Sequence, residues 1–254
     1  MTTHLLIPGA LIVVPESQQK QYADRLAADL PKIANLTAFA GDMKPRILTH
    51  PDSVKGLTPK LNWCFDEIHD DEAIVFIDDD ITSLQRCFVE KGEEATIRDP
   101  ALIFEIIRST YILARDVGGY YFGWEASNGA LRYYTGLKPI MLTGYINGCA
   151  MGFRTGHGLR FDERITAKND FDIAAANAYR HRIAVKNCRY TFCQKETFVG
   201  KGGQAAFRNS ETERRDVALL HRKWGRDVFP TGGHSGTRKR DYAGVSKITL
   251  RLPF

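Results

Sequence analysis

The chain of 254 residues carries 35 Lys or Arg against 30 Asp or Glu, a formal net charge of +5, with 43% apolar and 26% charged residues. Those shares exclude a disordered or fibrous chain and supply a full core for one large α/β domain. No apolar run approaches the roughly 20 residues that cross a bilayer, and Met1-Thr2-Thr3-His4 lacks the basic start of a secretory leader, so a cytoplasmic protein without a membrane partner is expected.

In chain order, Leu11-Ile12-Val13-Val14 ahead of Pro15-Glu16 predicts a first core strand, and the apolar spacing from Gln18 to Leu30 predicts a helix. Arg46-Ile47-Leu48-Thr49 reads as a second strand. Pro59 to Ile68 reads as a helix with Thr58 at its N-cap. Ala73-Ile74-Val75-Phe76-Ile77 has the apolar run of a strand buried on both faces. Asp99-Pro100 opens the longest helix, Ala101 to Val117, which Gly118-Gly119 closes. Short strands follow at Tyr120 to Phe122, Ile140 to Leu142, Cys149 to Arg154 and Tyr190 to Phe192, with a helix from Phe171 to His181. Ser210 with Glu213 three residues on is a capping-box pattern for a helix reaching Trp224, and Lys247 to Leu252 predicts a last strand. Strands alternating with helices predict a single domain over 1–254, built on a mostly parallel central sheet flanked by helices.

The densest chemistry lies where the strand at 73–77 runs into Asp78-Asp79-Asp80. Open α/β sheets bind ligands at the carboxyl ends of their strands. Adjacent carboxylates repel one another and resist desolvation unless a cation joins them. A Mg²⁺ or Mn²⁺ held by Asp78 and Asp80, leaving positions for phosphate oxygens, suits nucleotide-sugar chemistry. The plain alternative is a loop whose aspartates cap turns. Five cysteines (Cys64, Cys87, Cys149, Cys188, Cys193) show no Cys-x-x-Cys spacing and read as packed thiols. Residues 201–254 hold twelve Lys or Arg against five Asp or Glu, which suits a phosphate-bearing partner or a solvated face.

A second acidic group, Asn169-Asp170-Phe171-Asp172, follows the glycine-flanked strand between Gly148 and Gly156. Its plain reading is helix capping and helix-dipole stabilisation. His234 lies in Thr231-Gly232-Gly233-His234-Ser235-Gly236, just before Arg238-Lys239-Arg240. In this order, the Val13-Val14-Pro15 strand, the Asp triplet, the glycine loop, Asp170 and His234 resemble the Rossmann-related GT-A glycosyltransferases. The resemblance implies a nucleotide-sugar-binding half over 1–118 and an acceptor-binding half over 119–254. It implies Asp78, Asp80 and His234 as ligands of Mn²⁺ or Mg²⁺. Pro15, Glu16, Asp78, Asp79, Asp80, Arg238 and Lys239 would contact the donor, a UDP-sugar. Asp170 would be the general base, with Asp172 as a second catalytic carboxylate. Asn169 stands where the family usually has glutamate.

Ile77-Asp78-Asp79-Asp80-Ile81 and Arg240-Asp241-Tyr242-Ala243-Gly244-Val245-Ser246-Lys247-Ile248 are similar to the TET-associated glycosyltransferases, encoded largely by phages. That likeness implies sugar transfer to the hydroxymethyl group of 5-hydroxymethylcytosine in double-stranded DNA, with Arg238, Arg240 and Lys247 on the DNA. Tyr120, Tyr121, Phe122, Trp124 and Tyr133-Tyr134 are core residues or a platform for a flipped base. Three other readings compete. One is a transferase with a protein or small-molecule acceptor. Another is a haloacid-dehalogenase-like phosphatase using Asp78 and Asp80, although that fold opens with this strand near its N-terminus. The third is a non-catalytic DNA-binding module.

Overall fold

The structure, a computed structural model, describes residues 11–27, 46–68, 72–78, 81–90, 93–125, 138–194, 209–231 and 248–252. Strand β1 (Leu11–Pro15) pairs in parallel with β2 (Arg46–His50), Leu11 opposite Arg46 and Pro15 opposite His50. Between them a 3₁₀ turn at Glu16–Gln18 leads into helix α1 (Gln19–Ala27). Next come α2 (Leu57–Glu67), β3 (Ala73–Ile77), β4 (Ile81–Arg86), β5 (Thr96–Ile97) and α3 (Pro100–Asp116). They are followed by β6 (Tyr121–Glu125), β7 (Ile140–Met141), β8 (Ala150–Arg154), α4 (Asn169–His181), β9 (Ala184–Gln194) and α5 (Ser210–Trp224). Among the described residues no helix is long and apolar enough to cross a membrane.

Two helix starts differ from expectation. The α2 helix begins at Leu57 after Gly56, and Thr58 turns inward so that its hydroxyl donates to the Ile165 carbonyl at 3.0 Å. A buried long-range bond thus takes the hydroxyl that local chemistry assigned to capping. At α5 the cap is Asn209, whose side chain accepts from the N–H groups of Glu211 (3.0 Å) and Thr212 (2.8 Å). Asp99 does cap α3, accepting from Ala101 N–H at 3.0 Å. Of the expected last strand, only Ile248 pairs, in a single bridge to Thr231.

The larger sheet runs β3-β8-β6-β9-β4-β5, with β7 also on β9. Only β6–β9 is parallel in it; the β3–β8, β6–β8, β4–β9, β4–β5 and β7–β9 pairs are antiparallel. The expected mostly parallel sheet is therefore corrected to a mostly antiparallel one within a mixed α/β fold. Linkage supplies the reason, because a parallel neighbour needs a crossover of about a dozen residues or more, usually a helix. Strands β3 and β6 both oppose β8 and so share one direction, as the passage through α3 allows. Strand β8 enters between them reversed. Only three residues separate the end of β3 from the start of β4, too few for any crossover.

Strands β3 and β4 are four places apart in the sheet, which in a flat sheet is about 19 Å. Yet Ile81 N–H donates to the Asp78 carbonyl at 3.3 Å. The sheet therefore curls, and β9 makes the bend. Its first residues pair with β6, its later ones (Tyr190 to Gln194) with β4. Strand β3 becomes an edge among the described strands: Ala73 is buried but Ile74 to Ile77 are half-buried, which corrects the expectation of burial on both faces.

On one face of the sheet, Ile103, Ile107 and Tyr111 of α3 pack with Phe122, Trp124 and Leu84. On the other, Leu61 of α2 and Ile173 of α4 meet Tyr121, Met151 and Phe153. Helix α5 sits outside this layer, its Val217 and Leu220 on Ile165, Ala175 and Phe229. Phe122 lies over Gly152, its cross-strand partner, so closely that a Cβ at 152 would stand 2.2 Å from the ring. Tyr111 and Trp124, with ring centroids 6.1 and 6.2 Å away, close off the ring's retreat. Gly152→Ala should lower stability by about 2–3 kcal/mol, measured as a shift of the urea midpoint.

His157 follows β8, buried against Phe65 and Phe153. Its Nδ1 accepts from Leu159 N–H at 2.9 Å. Burial, reinforced by nearby Arg160, lowers its pKa to about 4. As pH falls below about 6.5 the unfolded chain takes this proton first, so stability is lost between about pH 6.5 and pH 4. The expected loss is about 2–3 kcal/mol, and His157→Phe should remove that part of the pH dependence in urea titrations.

Candidate active site

Asp78 extends the β3 ladder by one residue. Its N–H donates to the Cys149 carbonyl at 2.9 Å, and its own carbonyl receives Ile81 N–H. Strand alternation puts its side chain on the face of Ile74 and Phe76, the side covered by α2 and α4. The residue is half-buried at the point where the curled sheet brings β3 and β4 together.

Asp170 is the second residue of α4. Its Oδ1 accepts from Phe171 N–H at 2.9 Å, and its Oδ2 accepts a short hydrogen bond from the Tyr145 hydroxyl. Tyr145 is held by stacking on Phe171, with ring centroids 4.5 Å apart. The Tyr145 residue is half-buried but its hydroxyl end is enclosed; that burial, with the charge of Asp170, pushes the phenol well above its ordinary pKa. Burial and then Asp170 do the same to Tyr121, whose hydroxyl donates to the Ile146 carbonyl at 3.4 Å. Both phenols therefore stay protonated, and the Tyr145 hydroxyl remains a donor that fixes the carboxylate.

One turn connects the two acids. Asn147 closes it, its side chain accepting from Cys149 N–H at 3.2 Å. Cys149 carries the bond to Asp78, while a Cβ on Gly148 would meet Asp170 Cβ at 3.2 Å and Oδ2 at 3.6 Å. Glycine lets the turn lie against the carboxylate. Asp78 and Asp170, 92 positions apart in the chain, thus flank a single turn.

Asp172 does not join them. Two residues along a helix is about 200° of rotation, so it points away from Asp170. It is fully buried and binds Trp224 Nε1 (2.7 Å) and Lys223 Nζ (2.9 Å), which fastens α5 to α4. The expectation of a second catalytic carboxylate there gives way to a structural role. Helix α5 also secures the chain leading to Asp170. Buried Asp216 accepts from Thr166 N–H (2.9 Å) and Ala167 N–H (2.6 Å), and buried Glu213 pairs with Lys168 Nζ at 2.7 Å. Glu213 is thereby drawn away from any capping box. Asp162 is held well below the usual carboxylate range by Arg164, with Lys223 adding to it.

Glu125 was not singled out by sequence. It ends β6, and the register of Gly123 with Met151 places it level with Cys149, as Asp78 is from the other side. It shares a face with Tyr121 and pairs with Lys186 Nζ at 3.0 Å, the two side chains only 11% and 13% exposed. The signal was available: a carboxylate closing an apolar strand, as at Asp78.

Pro15 and Glu16 lie in the two-stranded sheet and its turn, where Asp52 Oδ1 accepts from the Ser17 N–H and hydroxyl. Asp79, Asp80, His234, Arg238, Lys239, Arg240 and Lys247 fall outside the described residues, as do Tyr133 and Tyr134. Tyr121, Phe122 and Trp124 are fully buried and serve the core, so they offer no platform for a base. Tyr120 packs on His181 and Arg154. Among the described residues no group of three His, Cys, Asp or Glu gathers as a metal set. Comparison with protein-family models, curated proteins and solved structures finds no match.

Proposed function

We propose that this chain is a metal-dependent glycosyltransferase that moves a sugar from a nucleotide-sugar to the hydroxymethyl group of 5-hydroxymethylcytosine in DNA. The observation that carries the reading is the meeting of Asp78 and Asp170 at the Asn147–Cys149 turn. One acid ends a strand, where a diphosphate and its cation are expected. The other is a rigidly held carboxylate beside it, where an acceptor hydroxyl must lose its proton. The DNA acceptor rests on the likeness at residues 77–81 and 240–248 and on the basic C-terminal quarter.

Donor chemistry fits the metal in part. Asp78 offers the hard carboxylate oxygen that Mg²⁺ or Mn²⁺ takes, and the rest of the set draws on Asp80 and His234 beyond the described residues. When bound, the ion offsets charge on the departing diphosphate. Asp170 takes the proton of the acceptor hydroxyl, and Tyr145 keeps the carboxylate aimed by donating to its Oδ2. In this account the sugar transfers with inversion.

The test is nucleotide diphosphate release from a panel of nucleotide-sugars with Mn²⁺, comparing hydroxymethylated with unmodified duplex DNA. Release stimulated by the hydroxymethylated duplex alone is expected. Equal release with both would remove the DNA acceptor, and no release from any donor would remove the transferase.

A further inference from the structure

As a sequence, helix α5 is close to charge balance, with Glu211, Glu213 and Asp216 against Arg214, Arg215, Arg222 and Lys223. Folding sorts those charges. Glu213 and Asp216 are buried, the first on Lys168 Nζ and the second on the Thr166 and Ala167 N–H groups. Over 210–227 the bases that stay exposed are Arg214, Arg215, Arg222, Lys223 and Arg226, while the exposed acids, Glu211 and Asp227, stand only at the two ends. Lys223 is shared between Asp162 and Asp172, and Arg215 lies on Asp216 and Thr166. Arg214, Arg222 and Arg226 have no hydrogen bond or ion pair among the described residues.

Arg214, Ala218 and Arg222 recur every four residues and share one face of α5, turned away from Leu220 in the core. Eight residues of helix set the two arginines about 12 Å apart along the axis, and small Ala218 leaves the space between them clear. Arg226 follows two residues beyond the helix end. A row of unpaired guanidinium groups fits a polyanion, and this spacing fits a DNA duplex. The major groove is about 12 Å wide, so the two arginines can meet phosphates on its opposite sides. A membrane surface fits less well, because Val217 and Leu220, the apolar residues that would enter lipid, are already buried in the core. A single strand also fits less well. No aromatic side chain stands in the row to stack its bases, and the exposed Tyr179 meets Trp224 on the other side of the helix.

We propose that the outward face of α5 docks the phosphate backbone of double-stranded DNA, independently of sequence, through Arg214, Arg222 and Arg226. The contact needs no modified base, so it stands apart from sugar transfer.

The test follows a labelled, unmodified 20-base-pair duplex by fluorescence anisotropy as the full chain is added, over a series of salt concentrations. Wild type should bind at about micromolar concentration in 50 mM salt and weaken steeply as salt rises. The triple variant Arg214→Gln, Arg222→Gln and Arg226→Gln should bind at least tenfold more weakly, with the slope of log K against log salt flatter by about 2–3. A control triple, Lys55→Gln, Arg98→Gln and Arg115→Gln, removes the same charge from exposed positions elsewhere and should keep most of the affinity and slope. Equal melting temperatures establish that the variants are folded. The proposal is overturned if wild type leaves the duplex unbound, including where it binds phosphatidylserine vesicles instead. It is overturned equally by a folded α5 triple that matches wild type in affinity and slope, or by a control that loses as much as that triple. Because the probe carries no modified base and no donor is present, failure of sugar transfer would leave this result standing.

Discussion

Asp170→Asn is expected to cut turnover about 10²–10⁴-fold while leaving fold and donor binding intact. The amide oxygen still accepts from Phe171 N–H, and the amide NH₂ in place of Oδ2 donates to the Tyr145 hydroxyl, which turns to accept, so the start of α4 keeps its shape. What the amide cannot do is take a proton from an acceptor hydroxyl. The fall should therefore appear in kcat, with donor KM and melting temperature unchanged. Asp172→Ala should do the opposite. It leaves Lys223 and Trp224 without their buried partner and should cost about 3 kcal/mol of stability in urea unfolding. Its folded fraction should turn over normally. An Asp170→Asn enzyme of full activity would remove the base role, and the inverting step with it.

The second large effect concerns Asp78. Asp78→Asn keeps both backbone bonds, to Cys149 and from Ile81, so the junction of β3 and β4 should form as before. The variant offers a weaker, uncharged oxygen to a hard cation. Calorimetry should show UDP binding that Mn²⁺ strengthens in wild type and no longer strengthens in the variant, with turnover down at least about 100-fold. Retained Mn²⁺ dependence in the variant would place the cation elsewhere. A phosphatase using Asp78 as nucleophile would instead show hydrolysis by wild type that the variant abolishes outright.

Local signals read well in this chain because their causes are local. Asp99-Pro100 opens α3 as capping chemistry requires, and apolar periodicity finds β1, β2, α2, α4 and α5 close to their ends. Sheet direction is another matter. Nothing near Ala150 to Arg154 says that β8 will enter between β3 and β6 in reverse, since that depends on pairing across many residues. The same distance hides the roles of the acids. Asp170 and Asp172 are alike in sequence, and what separates them is Lys223 and Trp224, brought from the end of α5 to only one of the two. Thr58 was misread as a cap for the same reason, its partner Ile165 lying 107 positions away. The strand end carrying Asp78 was legible as a site from its apolar run and charge. Glu125 had the same grammar with one carboxylate in place of three, and only the register with Cys149 brings it forward.

The most direct measurement is the mass of a 5-hydroxymethylcytosine duplex after incubation with wild type, Mn²⁺ and a panel of nucleotide-sugars. The account predicts a gain of one sugar residue per modified base with one donor, none on unmodified duplex, and none with Asp78→Asn in a single turnover. An unchanged duplex in the presence of folded protein, donor and Mn²⁺ would contradict it.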